Sequence, residues 1–341
     1  SGFQWLAGIY AFTESFDITN EIAMFNDFRR VDIENTGLAV FGQGTFTFFD
    51  RLHLTGGLRY DLLKLDGDIT GSFFDRNTMS PVLLNISNKE EYRKLLPKMS
   101  LRYDVTDSVM TYASLAKGYL SGGYNYAFVT SEDNFRYDPE YSWNYEIGFK
   151  SSWLGNRLGV NAAVFYIDVD DKQMIEYIGG QRNITNAAKA HSAGFELEFT
   201  TRPALGMELF VGLGYLDTGF DTNFDSNGDG IPDTADNRLP YASEFNYTAG
   251  VQYCHTSGFF ARLDVNYLDN FFSDAVNTHE IDGYALVNAR IGYLADRYDI
   301  IFWGKNIFDK EYISNSGPYA YGDTGVAGEP LMAGLTVTWR F

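Results

Sequence analysis

The 341-residue sequence has one cysteine, Cys254, eight prolines and four histidines, His53, His191, His255 and His279, that lie far apart. A single cysteine excludes a disulfide framework and a thiolate metal cluster, and the scattered histidines carry no ligand-like spacing. Basic residues are scarce too. Against 45 acidic residues stand 26 Lys and Arg, for a net charge of -19. That balance argues against a nucleic-acid partner, because displacing counterions from phosphates calls for a basic patch. Long apolar runs are also missing. No stretch approaches the roughly 18 residues of a spanning helix, and mean hydropathy is -0.22. Transmembrane helices are thereby excluded, but a membrane location is not, since a barrel strand needs only about 9 to 11 residues, half of them polar. The first residues, SGFQWLAGIY, have neither a basic n-region nor a cleavage site, so they do not form a signal peptide.

Aromatic residues and alternation are abundant. The last octamer, GLTVTWRF, places Leu335, Val337, Trp339 and Phe341 on one strand face and Thr336, Thr338 and Arg340 on the other. The same period recurs in LHLTGGLRYDL, where Leu52, Leu54, Leu58, Tyr60 and Leu62 oppose His53, Thr55, Arg59 and Asp61. It recurs again around Met99–Val105, Phe195–Phe199, Phe259–Tyr267 and Val287–Tyr293. No comparable stretch has helical period; the charged run NKEEYRKLL (88–96) could form one short helix at most. Connections sort into short ones, near 50–51, 106–107, 155–156, 202–205, 255–258 and 296–297, and long ones, at 17–34, 67–91, 119–139, 180–187, 220–240, 272–282 and 314–329. They alternate strictly. A soluble sandwich has no reason to gather its long loops at one end, whereas an outer-membrane barrel has short periplasmic turns and long extracellular loops. The expectation is an all-β, antiparallel transmembrane β-barrel of about fourteen strands.

At this point the chain resembles the C-terminal barrel portion of TonB-dependent outer-membrane receptors. The resemblance is carried by FQWLAGIYAFTESF, AVFGQGTFTFFDRLHLTGGLRYD, LLPKMSLRYDVTDSVMTYASLAKGYLSGGYN, YDPEYSWNYEIGFKSSWLGNRLGVNAAVFYIDVDDKQM, NAAKAHSAGFELEF, GYALVNARIGYLADRYDIIFWGKNIFDKEY and the final GLTVTWRF. They run in the family's order from end to end. The resemblance implies part of a 22-stranded barrel, with the N-terminal plug and first strands absent from this chain. It also implies a Gram-negative outer membrane, a ferric siderophore or similar scarce nutrient as ligand, and TonB, reached through the plug, as energy source. Phe341 with Trp339, Val337 and Leu335 resembles the signal read by the barrel-assembly machinery. The other reading is a closed fourteen-stranded porin-like passive channel with a calcium-ordered extracellular loop.

Three constellations could carry function. In DSNGDGIPDTAD, Asp225, Asn227 and Asp229 match positions 1, 3 and 5 of a calcium loop and Gly230 its turn. Ile231 would offer a carbonyl, with Asp233 and Asp236 at positions 9 and 12. Position 12 is Asp, which reaches less far than Glu, and the same residue types also make a plain solvated turn. Next, Arg59, Arg102, Arg262, Arg290 and Arg340 share the polar parity, toward the lumen and near short turns. They either guide an anionic ligand or form ion pairs, with Asp61, Asp104 and Asp264 nearby, that face a plug. Last, Tyr119, Tyr124 and Tyr126 in GYLSGGYNYAF, with Tyr319 and Tyr321, could stack on a flat ligand such as a catecholate or pack loops and interface girdles. Catalysis is not expected, because His191 and Ser192 point to opposite faces of a strand. The segments where haem receptors of this family carry their ligand contain no histidine.

Overall fold

The structure, a computed structural model, describes residues 2–23, 26–75, 78–127, 129–178, 181–224, 232–319 and 322–341, with the backbone alone at 175–178, 181–182, 187–188, 317–319 and 322–323. Strands dominate. In chain order they are β1 (Phe3–Ile22), β2 (Asp27–Phe48), β3 (Leu52–Asp75), β4 (Ser80–Thr106), β5 (Val109–Leu120), β6 (Gly123–Tyr124), β7 (Arg136–Tyr137), β8 (Glu140–Trp153), β9 (Leu158–Ile178) and β10 (Gln181–Thr201). There follow β11 (Met207–Phe220), β12 (Phe245–Cys254), β13 (Phe259–Leu268), β14 (Phe271–Phe272), β15 (Glu280–Ile281), β16 (Tyr284–Leu294), β17 (Tyr298–Lys305), β18 (Ile313–Tyr319), β19 (Gly322–Ala327) and β20 (Met332–Trp339).

Fourteen of these form one antiparallel sheet in the order β1-β2-β3-β4-β5-β8-β9-β10-β11-β12-β13-β16-β17-β20. Each neighbour in space is also the neighbour in sequence, apart from three two-stranded ribbons, β6–β7, β14–β15 and β18–β19, inside the long connections. The short turns gather at one end of the sheet. Between β2 and β3, Phe49 and Asp50 both take positive φ, 51° and 57°, the primed turn whose twist matches that of the strands it joins. Among the described residues β1 pairs only with β2 and β20 only with β17. Among the described residues the wall is therefore open, and nothing in it supports the closed fourteen-stranded porin, which needs those two edges to meet.

Register fixes the faces. Phe46 pairs with Phe3 and Leu54, Val40 with Ile9 and Tyr60, and Leu58 with Gly42. Farther round, Ile147 pairs with Val164, and Phe302 pairs with Leu335. These residues form one continuous outward band. Ile9, Ile147, Val337 and Trp339 are exposed to the surroundings rather than packed on each other, as a lipid-facing surface requires. Aromatic rings mark the band's two rims. Tyr293, Tyr298 and Trp339 lie toward the short turns, and Tyr215, Phe245, Tyr247 and Tyr267 toward the long loops. The terminal octamer has the faces its alternation predicts.

Several strands are far longer than a membrane needs. β1 to β4 have 20, 22, 24 and 27 residues, against about 9 to 11 for a span. Above the band the polarity of the two faces reverses. On β3 the outward series Leu52, Leu54, Leu58, Tyr60, Leu62 gives way to Lys64, Asp66 and Asp68, while the inward series passes from Arg59 and Asp61 to Leu63, Leu65 and Ile69. Leu63, Leu65 and Ile69 are buried with Val31, Leu84, Tyr124, Val129 and Phe135 in a dry cluster. The outer surface there carries ion pairs instead, Arg30 with Asp17 at 2.7 Å and Arg93 with Glu91 at 2.6 Å.

These extensions correct the sequence reading of 17–34, 67–91 and 180–187 as long loops. All three are mostly paired strand, and 88–96 lies within β4 rather than a helix. There Asn88, Glu90 and Tyr92 face inward while Lys89, Glu91 and Arg93 face outward.

The reversal sets the height of the membrane. Ile147→Arg, in the middle of the outward band, is expected to lower unfolding stability in lipid vesicles by about 2–4 kcal/mol. Thr70→Arg, outward but above the reversal, is expected to leave it within about 0.5 kcal/mol. Urea titration followed by tryptophan fluorescence measures both.

Candidate functional site

The concave face has two zones. The lower zone is polar and lined by charge pairs. Arg59 donates from Nε to both oxygens of Asp61 at 2.9 Å, and Arg102 binds Asp104 through Nε and a terminal nitrogen at 2.8 Å each. Asp104 also meets His53 Nε2 at 2.9 Å, and His53 Nδ1 lies 2.9 Å from the Thr47 hydroxyl. Arg262 donates to Asp264 at 3.1 Å with its guanidinium 4.7 Å over the Phe210 ring, and Asn288 adds a bond to Asp264 at 3.0 Å. In all three the partner is two residues on, which on a strand is the next side chain of the same face. Arg340 differs, reaching across to Asp299 and to the Ala295 carbonyl at 3.1 Å. Arg290 lies directly opposite Arg262 in the ladder and has no carboxylate partner among the described residues.

The lower zone also holds a group that the sequence reading left unassigned. Tyr112 donates its hydroxyl to Glu146, Asn161 donates to Glu198 at 3.0 Å, and Lys150 lies 5.9 Å from the Tyr112 ring. With Glu196 they border a hollow of about 370 Å³. Their signal was in the sequence: each sits on the same polar parity as the arginines.

The upper zone is the mouth. Connection 121–139 folds inward across it instead of standing free. Asn125 holds Ile184 of β10 by a paired amide contact, accepting from its N–H at 2.8 Å and donating to its carbonyl at 2.9 Å. At the other side Arg29, 1% exposed, is bonded by Asp27 at 2.5 and 2.7 Å, donates to the Val129 carbonyl and stacks 5.4 Å from Phe73. A charge pair so buried holds only while both partners are present; removing one costs about 3–5 kcal/mol. The connection is thus clamped at both ends of its crossing.

The candidate ring residues separate accordingly. Tyr124 is buried, stacked 4.7 Å from Phe135, and donates to the carbonyls of Leu65 and Asn88 at 3.2 and 3.0 Å. Burial, aided by the nearby Glu90 carboxylate, pushes its phenol well above the usual tyrosine range. It builds the shelf rather than facing a ligand. Tyr119 stands beside Tyr141 at 5.8 Å with its hydroxyl buried, whereas Tyr126 is exposed at the mouth. Tyr319 lies in β18 opposite Gly322, and Tyr321 lies outside the described residues.

Of the calcium-loop residues, Asp225, Asn227, Asp229 and Ile231 lie outside the described residues. Asp233 and Asp236 do not. The Asp233 N–H donates to the Phe224 carbonyl at 3.0 Å, the Phe224 N–H to Thr234 Oγ1 at 3.0 Å, and the Thr234 N–H to Asn223 at 2.8 Å. Asp236 takes a left-handed φ of 61°.

A lipid-facing sheet with a polar concave face and loops folded over one end is the wall of an outer-membrane β-barrel. Residues 2–307 match the family described as "TonB dependent receptor-like, beta-barrel", and the chain belongs to that family. The pesticin receptor of Yersinia enterocolitica is 27% identical over 294 residues, 85% of this chain and 41% of that protein. The ferric-pyoverdine BN7/BN8 receptor of Pseudomonas putida is 28% identical over 250 residues, 71% of this chain and 28% of that protein. The ferric yersiniabactin uptake receptor of Yersinia pestis superposes with a TM-score of 0.83 at 22% identity, covering 98% of this chain and 51% of that one. The chain spans less than half the length of these two curated relatives. Its family consists of receptors rather than enzymes.

Asn125→Ala removes the bridge to Ile184. Hydrogen exchange of 121–139 is expected to speed by about 5- to 30-fold, the effect of about 1–2 kcal/mol, while β2 and β3 keep their protection.

Proposed function

We propose that this chain is part of the wall of a receptor that imports a ferric siderophore, or a similar scarce metal chelate, with energy from the TonB system. The observation that carries this reading is the family match over most of the chain, among relatives named for ferric chelates. The concave face fits the role. Over the membrane span it carries paired charges and polar side chains, with rings such as Phe210 beneath them, so a polar chelate and a polar plug can both sit against it. Arg290, beside Arg262 and without a carboxylate of its own, is the lumen residue that a plug carboxylate would meet. The barrel-assembly machinery would read the alternating end of β20 and Phe341.

The test is uptake of radioactive iron by iron-starved cells carrying or lacking the gene, with ferric siderophores offered one at a time. Uptake of one chelate that requires both the gene and TonB is expected. Uptake that persists without TonB, or none with any chelate, overturns the proposal.

We propose also that 225–236 binds calcium. The spacing of oxygen donors supports this, as does the hydrogen-bonded closure of the segment's base at Phe224, Asp233 and Thr234, which lowers the ordering cost of a chelating loop. Asp225→Ala together with Asp229→Ala is expected to abolish calcium binding in calorimetry; unchanged binding overturns it.

A further inference from the structure

β4 and β5 part company in mid-sheet. Their ladder ends at Lys98 with Ala116, yet β4 continues upward with β3, and β5 continues with β8 as far as Leu120 with Glu140. Pro97, next on β4, has no N–H to offer a further rung. The split leaves a groove of about 470 Å³, on which Arg93, Lys94, Lys117, Tyr141 and Trp143 converge.

Its height is set by the reversal of polarity. Leu95 ends the unbroken apolar outward run of β4 and Arg93 is the first charged outward residue above it; on β3 the same change falls between Leu62 and Lys64. Arg93, Lys117, Tyr141 and Trp143 share the parity that carries Ile147 outward. A Trp and a Tyr there belong at the boundary between acyl chains and head groups. Lys94 reaches the groove from the other parity.

Of the chain's ten lysines, Lys64, Lys89, Lys172, Lys189 and Lys305 each have a carboxylate within 4.0 Å, and Lys98, Lys150 and Lys310 have none among the described residues. Lys94 and Lys117 have none among the described residues, only rings: Lys94 lies 4.4 Å from Tyr141 and 6.0 Å from Tyr119, and Lys117 lies 5.6 Å from Tyr141 and 5.8 Å from Trp143. Of the two carboxylates on the groove, Asp170 is held by Lys189 at 2.7 Å, and Asp171 is beyond ion-pair distance of either lysine. Tyr92 and Tyr119, flanking Lys94, each bury a hydroxyl without a hydrogen-bond partner. Lys94 and Lys117 therefore meet in one seam at head-group height without an ion-pair partner among the described residues, Asp171 being the groove's one carboxylate not held by another cation.

We propose that this seam binds the phosphate of an outer-leaflet lipid, with Lys94 and Lys117 as its counter-ions and Trp143 against the start of the acyl chains. A lipid is favoured over a dissolved anion because the groove opens on the face that carries the apolar band. An anchored head group there would also fill the gap that the split leaves in the wall.

The experiment uses the intact receptor purified in detergent, given equal amounts of dioleoyl phosphatidic acid and dioleoyl phosphatidylcholine, with retained lipid read by native mass spectrometry. Phosphatidic acid is expected to be retained preferentially, and Lys94→Gln with Lys117→Gln to reduce its retention about tenfold. Lys94→Arg with Lys117→Arg should keep most of it, and Lys64→Gln, which removes an already paired cation, should leave it unchanged. Circular-dichroism melting checks that each variant is folded. Equal retention by the double glutamine variant, or an equal loss in Lys64→Gln, overturns the site. Displacement of phosphatidic acid by millimolar inorganic phosphate overturns the lipid assignment in favour of a dissolved anion.

Discussion

In hydrocarbon a peptide group finds no water, so each N–H and C=O must be satisfied inside the wall itself. That constraint governs the rest of this molecule. It makes the chain pair with its own neighbours in simple sequence order, and it leaves the side chains to choose only between two faces. Each face then records the medium against it. Over the membrane span lipid lies outside and water inside, so Leu58 and Ile147 point out and Arg59 and Glu146 point in. Above it water lies outside, and the rule inverts.

The inversion needs only one step in phase. Asp61-Leu62-Leu63-Lys64 breaks the alternation with two adjacent leucines, so Leu62 ends the lipid-facing series and Leu63 opens the inward core. On β4 Leu95 and Leu96 make a similar doublet. The backbone ladder runs through the change undisturbed, Leu62 with Arg93 and Leu63 with Tyr92. A continuous strand can thus serve as membrane wall for half its length and as one side of a water-soluble core for the rest. The same ladder gives 121–139 a rigid base: the Arg29–Asp27 pair and the Asn125–Ile184 contact need partners held in place by strands that do not fray at the membrane boundary.

Period two made the class, the outward band and the lumen arginines legible from the sequence, because lipid on one side imposes the pattern whatever the rest of the fold does. The length of β1 to β4 was not, because their upper halves read as polar and turn-rich when one expects apolar residues outside. Lys89, Glu91 and Arg93 alternate with Asn88, Glu90 and Tyr92 as a strand should, but every one is polar or amphipathic, so the alternation carries little hydrophobic contrast. The doublets at 62–63 and 95–96 were the available signal. The inward fold of 121–139 had none. Its partners lie 59 and 100 residues away in Ile184 and Arg29, and a tyrosine such as Tyr124 looks the same in sequence whether it meets a ligand or Phe135.

The lumen charges follow from the same geometry. Arg59-Tyr60-Asp61, Arg102-Tyr103-Asp104 and Arg262-Leu263-Asp264 repeat one arrangement, an arginine and an aspartate on the inner face separated by a residue turned to lipid. Each cation brings its counter-ion along the strand, independent of how neighbouring strands are registered and of whatever occupies the lumen. Pairs of this kind, partly open to water, add at most about 1 kcal/mol each to stability, so adhesion of the wall is not their main effect. Their effect is neutrality. A surface of closed dipoles holds a neighbouring polar body by many weak contacts, and such a body can shift past it without breaking strong ones. An array of unpaired arginines would instead bind any carboxylate facing it and resist its movement. Arg290, set against Arg262 with no carboxylate partner among the described residues, is one place where the wall departs from that rule, and there a carboxylate of the lumen's occupant would be held strongly.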